Sequence, residues 1–308
     1  MCARAYEGRC QMKKELEASY RYAVKIMRER AVSFYHAFSR LPKNRFKAVA
    51  AVYAFCRTAD DISDEEEAEE NIAEKEKKLE DLEKALSHVY SSNPVVSRYS
   101  WWPAFEDAVK RFNIPPKGFL DQLEGQKMDI HFRDIPNLDE LILYCRYVAG
   151  SVGQMLLPML ANGTPEPEMT KACIDLGTGM QVTNILRDVG EDLRKRDRIY
   201  LPMDMLEEYD ITRNELKILS TGEKADIPDG FIQAWERLAS IADGYYSKYL
   251  EYLDGFIPEC RLPIVSAALN YHAIAQAVRD NGYDCFTKRC YTTKKERSKL
   301  LKEAKKLV

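Results

Sequence analysis

Apolar residues in this chain recur three and four positions apart from residue 13 almost to the end, and they do not alternate with polar ones over a strand-length run. A period near 3.6 buries one face of a helix, whereas a half-buried strand needs a period of two. Glycine-containing hairpin turns between such runs are also missing. The chain is therefore expected to be all-α. Helices are predicted over 13–40, from the Leu41-Pro42 break to about Asp64, and over 64–86 as a charged amphipathic segment. Further helices are expected over 104–129, 138–161, 168–192 (interrupted at Gly177 and Gly179), 229–254 and 261–281, with a basic tail helix at 293–308. Residues 91–103 read as a loop, and 197–230 as short helical pieces that could form a lid. No repeat or low-complexity linker divides the chain, so one helical domain over 1–308 is the simplest account, with 1–15 disordered or peripheral.

Composition excludes several function classes. The net charge of the 308 residues is −3, and the basic residues form no stripe interleaved with aromatics, which argues against nucleic acid as a partner. Eight cysteines without a CxxC pair point to reduced thiols rather than zinc or a redox couple. The N-terminus has no apolar signal-like core, and the most apolar stretch, 148–161, is too short to span a bilayer and contains Gln154 and Pro158. A cytoplasmic protein is expected, with peripheral membrane contact through the basic tail as an added expectation.

The chemistry lies in two acid stripes. In "VYAFCRTADDISD" (52–64), Asp60 and Asp64 are four apart and share a helix face with Tyr53 and Arg57. In "GMQVTNILRDVGED" (179–192), Asp188 and Asp192 repeat the spacing, with Gln181 and Asn184 on the same face and Arg187 beside them. Like charges at i,i+4 weaken a helix by a few tenths of a kcal/mol, roughly, and burying them unpaired costs several more. A solvated face explains one such stripe. Two, each in an apolar helix and each beside an arginine, point to bound cations. All-oxygen donors suit a hard ion, so Mg²⁺ is expected rather than Zn²⁺, shared with phosphate oxygens that Arg57 and Arg187 can grip in bidentate fashion.

At these residues the chain resembles the squalene/phytoene synthase family, over roughly 20–290. Five segments carry the resemblance, in order: "SFYHAFSRLP" (33–42), "AVYAFCRTADDISD" (51–64), "YCRYVAGSVG" (144–153), "QVTNILRDVGED" (181–192) and "DRIYLP" (197–202). Within the family the chain is most similar to bacterial dehydrosqualene and phytoene synthases. The resemblance implies the isoprenoid-synthase fold, a single helical domain around a central cavity. It implies metal ligation by Asp60, Asp64, Asn184, Asp188 and Asp192, and phosphate contacts from Ser33 and Arg57. Tyr53, Gln181, Asn184 and Arg187 would line the pocket, with Tyr144 catalytic, Tyr283 touching substrate, and Arg30 standing where some members carry histidine. Phe34 and Phe38, four apart, would wall an isoprenoid tail. Gly150 and Gly153 give either close helix packing or room for substrate.

The implied reaction is a Mg²⁺-dependent head-to-head condensation of two farnesyl diphosphates. A cyclopropyl diphosphate, presqualene diphosphate, would form first. A second ionisation, rearrangement and proton loss would then give dehydrosqualene (4,4'-diapophytoene) for carotenoid synthesis. Phytoene synthesis from geranylgeranyl diphosphate and reductive squalene synthesis are the alternatives within the class. A non-catalytic isoprenoid-binding helical subunit is the alternative outside it, and four intact acids argue against that reading. Oligomeric state is not legible in the sequence.

Overall fold

The protein is described here from a computed structural model covering residues 2–64, 72–91, 99–222 and 226–308, with the side chains of 2–10, 32 and 33 outside the description. The acidic run at 65–71, most of the 91–103 loop, part of the candidate lid (223–225) and the side chains of Cys2, Cys10 and Ser33 therefore lie outside the description. All regular elements among those described are helices, and the one β-bridge joins Ala161 to Phe256.

Among the described residues fourteen α-helices follow one another: α1 (Cys2–Arg30), α2 (Val32–Phe38), α3 (Lys43–Asp64), α4 (Ile72–Val89), α5 (Trp102–Phe112), α6 (Lys117–Ile130), α7 (Leu138–Cys145), α8 (Ser151–Leu160), α9 (Pro167–Arg196), α10 (Met203–Glu208), α11 (Arg213–Thr221), α12 (Asp229–Asp243), α13 (Pro258–Asp280) and α14 (Lys294–Leu307). A π-helical turn, Arg146–Gly150, joins α7 to α8, and a 3₁₀ segment, Lys248–Gly255, precedes α13.

Several breaks fall where sequence periodicity alone does not put them. The first long helix kinks at Ala31 (φ −138°, ψ 64°), so Phe34 and Phe38 sit on a separate short helix. Residues 11–15, expected to be disordered or peripheral, are an exposed stretch of α1. The predicted helix 104–129 is two, parted at Asn113 (φ 48°) and at Pro115-Pro116, where proline removes backbone donors. Helix α9 runs unbroken through Gly177 and Gly179 for 30 residues.

The glycines on α8 and α9 resolve the choice left open above. A Cβ on Gly153 would lie 2.2 Å from the carbonyl oxygen of Cys173, and one on Gly177 would lie 2.4 Å from that of Ala149. These residues let the π turn and α8 press backbone to backbone on α9. The core is one cluster around α3, α5 and α8, with Phe105 packed on Phe55, Trp102 and Phe119, and a second around the C-terminal half of α9 and α12. The acid stripes of α3 and α9 lie at the ends of these two helices. No described helix is long and apolar enough to cross a membrane. The basic tail is helical as expected. It starts at a Thr293/Glu296 capping box, packs on α13 and buries Ala304.

Candidate active site

Helix α3 is apolar on the side that packs inward, with Val52, Phe55, Ala59 and Ile62 buried. Its last two turns present Arg57, Asp60, Asp61 and Asp64. Arg57 donates through Nη1 to Asp60 Oδ2 at 3.0 Å and through Nη2 to Asp61. Its Nε is buried and has no hydrogen-bond partner. On α9, Arg187 is 8 % exposed and grips Asp188 with two bonds, Nε to Oδ1 at 2.7 Å and Nη2 to Oδ2 at 2.5 Å. Asn184, one turn earlier, donates its amide to Gln181 Oε1 at 3.3 Å, while its own Oδ1 is buried without a partner.

The two stripes are brought together, and by residues that periodicity does not reveal. Arg196, the last residue of α9, donates to Asp64 Oδ2 at 2.7 Å and lies 3.7 Å from Asp192 Oδ1, joining α3 to α9. Arg289, from the segment after α13, reaches Asp188 at 3.0 Å and Glu191 at 3.4 Å. That segment is fastened to α9 at Gly190, whose N–H donates to the carbonyl of Cys285 at 3.1 Å. A Cβ on Gly190 would lie 1.9 Å from the carbonyl oxygen of Phe286, so the contact requires glycine. Arg194 also donates to Phe286.

A fifth acid completes the group. Asp129, near the end of α6, accepts from Tyr144 Oη at 3.0 Å, Tyr200 Oη at 2.8 Å and Arg198 Nη1 at 3.1 Å. Tyr144 and Tyr200 stack with ring centroids 5.2 Å apart, and Arg198 lies over Phe132. A crevice lined by Ile185, Val189, Asp192, Arg198 and Tyr200 adjoins this cluster.

The five acids form one electrostatic unit. Burial, then the charge of Asp64, pushes the Asp60 carboxyl up to about 7, with Asp129 adding to the effect and Arg57 opposing it. Burial and Asp188 push Asp192 up to about 7, again with a contribution from Asp129 and opposition from Arg196. Burial likewise raises Asp129, against Arg198 and the two tyrosines. Carboxyls crowded this way favour a proton or a metal over a bare charge. Among the described residues no three carboxylate, histidine or cysteine side chains converge on one point, and the acids are instead turned to guanidinium groups. The donor set nevertheless fits a hard divalent ion: carboxylates from two helices and an orphaned amide oxygen at Asn184, with a free N–H at Arg57 for a phosphate oxygen.

The remaining expected residues divide. Phe34 and Phe38 pack with centroids 4.4 Å apart, and Phe34 lies 6.1 Å from Tyr53, so these rings adjoin the α3 stripe. Arg30 is exposed at the end of α1. Tyr283, at φ 61°, donates to Glu236 Oε1 at 2.7 Å and packs on Trp235. The tyrosine on that side of the site is Tyr271 of α13. Its hydroxyl is raised by burial, and it faces Arg187, Arg289 and Asp188. Of the residues missed, Arg198 and Tyr200 lie in "DRIYLP", so that segment carried a signal. Arg289 and Asp129 carried none at helical spacing.

Comparison with known proteins agrees with this geometry. The family model for squalene/phytoene synthase matches residues 27–296. The chain is 33 % identical over 291 residues to a 4,4'-diapophytoene synthase of Staphylococcus haemolyticus, covering 94 % of this chain and 98 % of the relative. It is 32 % identical over 293 residues to a phytoene synthase of Thermus thermophilus, covering 95 % and 94 %. A crystal structure of a dehydrosqualene synthase in complex with ligand superposes with a TM-score of 0.84 at 32 % identity, over 96 % of this chain and 98 % of that one. With this coverage, the chain belongs to the squalene/phytoene synthase family of prenyltransferases.

Proposed function

We propose that the protein joins two farnesyl diphosphates head to head, through presqualene diphosphate, to give dehydrosqualene, using Mg²⁺. The observation that carries the diphosphate chemistry is the pairing of two orphaned polar atoms, Asn184 Oδ1 and Arg57 Nε, with two carboxylate stripes in one electrostatic unit. Asp60, Asp64, Asn184, Asp188 and Asp192 would hold the metal, which when bound supplies positive charge to the departing diphosphate. Arg57, Arg187 and Arg289 would hold phosphate oxygens, each exchanging a carboxylate partner for a phosphate one. Gln181 orients Asn184. Tyr53, Phe34 and Phe38 form an aromatic wall that excludes water from an allylic cation and stabilises it through the ring faces.

We assign Tyr144 to the proton-handling side of the site. Its hydroxyl is buried and held neutral, with its proton directed at Asp129, so its oxygen keeps lone pairs for a proton released nearby. Released diphosphate is the stronger base. Farnesyl rather than geranylgeranyl diphosphate is favoured by Phe38, 5 % exposed and packed on Phe34, a large ring that would close that end of the wall to a longer tail. Peripheral contact of the basic α14 face with a membrane belongs to the same proposal, since substrate and product are lipids. Equal sedimentation with anionic liposomes before and after truncation at residue 292 would reject that part. The main reading is tested by incubating the protein with farnesyl diphosphate and Mg²⁺, with and without NADPH and EDTA. Dehydrosqualene should form without reductant and should vanish with EDTA.

A further inference from the structure

Arg196 stands where neither stripe needs an arginine for helix formation. It is the terminal residue of α9, four positions after Asp192, and its guanidinium spans the gap to Asp64 on the other helix. Among the described residues this is the ion pair that links the two stripes directly. The following residue, Asp197, leaves the helix at φ 51°, and Arg196 itself is 29 % exposed, so its side chain can swing without disturbing a packed core. The other arginines are different: Arg57 and Arg187 each hold acids of their own stripe, and Arg289 reaches only the α9 acids Asp188 and Glu191.

Resting on the metal reading above, we infer that Arg196 is a built-in stand-in cation. Without metal it occupies the position between Asp64 and Asp192 that a divalent ion would take, and it leaves when the ion enters together with diphosphate. The physical reason is charge balance. Facing carboxylates repel one another, and the Arg196 guanidinium, in contact with both Asp64 and Asp192, offsets that repulsion. A bare divalent ion must break the Arg196 contacts and leave the arginine without a partner. An ion arriving with diphosphate offers Arg196 new anionic oxygens at the end of the same helix. Diphosphate and metal therefore bind with positive coupling, and Arg196 is a positioning residue that sets its size. The consequence is that the site stays closed to free metal and loads with the metal–diphosphate unit.

The test is Mn²⁺ binding by equilibrium dialysis, with protein-bound ion counted against a protein-free chamber at the same pyrophosphate concentration, because pyrophosphate itself chelates the ion. It would be run on wild type, Arg196→Gln and Arg196→Lys, each with and without inorganic pyrophosphate. Without pyrophosphate, Arg196→Gln should bind Mn²⁺ about tenfold more tightly than wild type, the scale of a partly buried ion pair. Pyrophosphate should then strengthen Mn²⁺ binding less in this variant than in wild type. Lysine, a point charge that cannot span both carboxylates, should give intermediate values for both quantities. If Arg196→Gln binds free Mn²⁺ no better than wild type while wild type binds it with pyrophosphate, the stand-in role is overturned and the metal site survives. If no protein binds Mn²⁺ in either condition, the metal reading falls and this inference falls with it. Should Arg196→Gln not fold, Arg196→Lys against wild type carries the same comparison, and equal affinities there overturn the role.

Discussion

Tyr200 donates its hydroxyl to Asp129 Oδ1 at 2.8 Å, on a carboxylate that Tyr144 and Arg198 also hold. Asp129 is 6 % exposed, so this is a buried charge with every partner supplied. Removing the carboxylate takes the counter-ion from Arg198, whose side chain is 14 % exposed and which keeps only its bonds to Tyr200 Oη and the Asp129 carbonyl, and leaves the Tyr144 and Tyr200 hydroxyl protons without their acceptor. Asp129→Ala is expected to cost about 3–5 kcal/mol, the usual penalty for breaking a buried pair from one side. Urea denaturation of both proteins measures it, and a loss below about 1 kcal/mol would show that the cluster is not held through Asp129.

Asp60→Asn and Asp188→Asn are each expected to abolish turnover, but their effects on stability should differ. Asp60 carries a raised carboxyl, so losing its charge costs little or stabilises the metal-free protein. Asp188 is gripped by the buried Arg187 and by Arg289. Asn at 188 should lower stability by about 1–3 kcal/mol, because Arg187 is left under-partnered. Thermal melts beside activity assays check both halves.

Metal affinity should rise with pH. Asp60 and Asp192 sit at about 7 in the metal-free protein, and ligation requires them ionised. The groups facing Asp192 are Asp188, Glu191 and Asp129, which raise it, and Arg196, which lowers it. Those facing Asp60 are Asp64, Asp129 and Asp61 against Arg57. Mn²⁺ should therefore bind more tightly at pH 8 than at pH 6, with protons released on binding near pH 6.5. Stability of the metal-free protein should move the other way. A carboxyl raised from 3.8 to about 7 stabilises the fold at low pH, and that contribution is lost as pH climbs through this window. Isothermal titration in buffers of different ionisation enthalpy gives the proton count.

Phe38→Ala should shift the product toward forty carbons by deepening the aromatic wall beside Phe34. The side chain is buried, so a stability cost of about 3–5 kcal/mol is expected. Ala50, fully buried on α3, is already small and adds to the room that Phe38 closes. Chromatography of products from each diphosphate reads the shift.

What the sequence made legible was what repeats at helical spacing. Asp60 with Asp64, and Asp188 with Asp192, announce themselves because the acids interrupt apolar helices, and Asn184 and Gln181 follow on the same face. What joins the stripes was not legible. Arg196 meets Asp64 across 132 residues and Arg289 meets Asp188 across 101, separations that no local period encodes. Asp129 reads as a lone acid near a helix end until Tyr144 and Tyr200 arrive from other elements. The resemblance points to Tyr283, whose hydroxyl bonds Glu236 on α12. Tyr271, one helix face earlier, is the residue that fold geometry turns toward the arginines. The helix break at Ala31 is illegible for a similar reason, since it falls at neither glycine nor proline, whereas the break after α5 is marked in the sequence by Pro115-Pro116.

The measurement that bears most directly on the account is a competition assay. Equimolar farnesyl and geranylgeranyl diphosphates would be given to the protein with Mg²⁺ and no reductant, and the hydrocarbons identified by mass spectrometry. The account predicts dehydrosqualene, a thirty-carbon conjugated triene, as the main product. Phytoene in excess would contradict the farnesyl assignment, and no hydrocarbon from either substrate would contradict head-to-head synthesis itself.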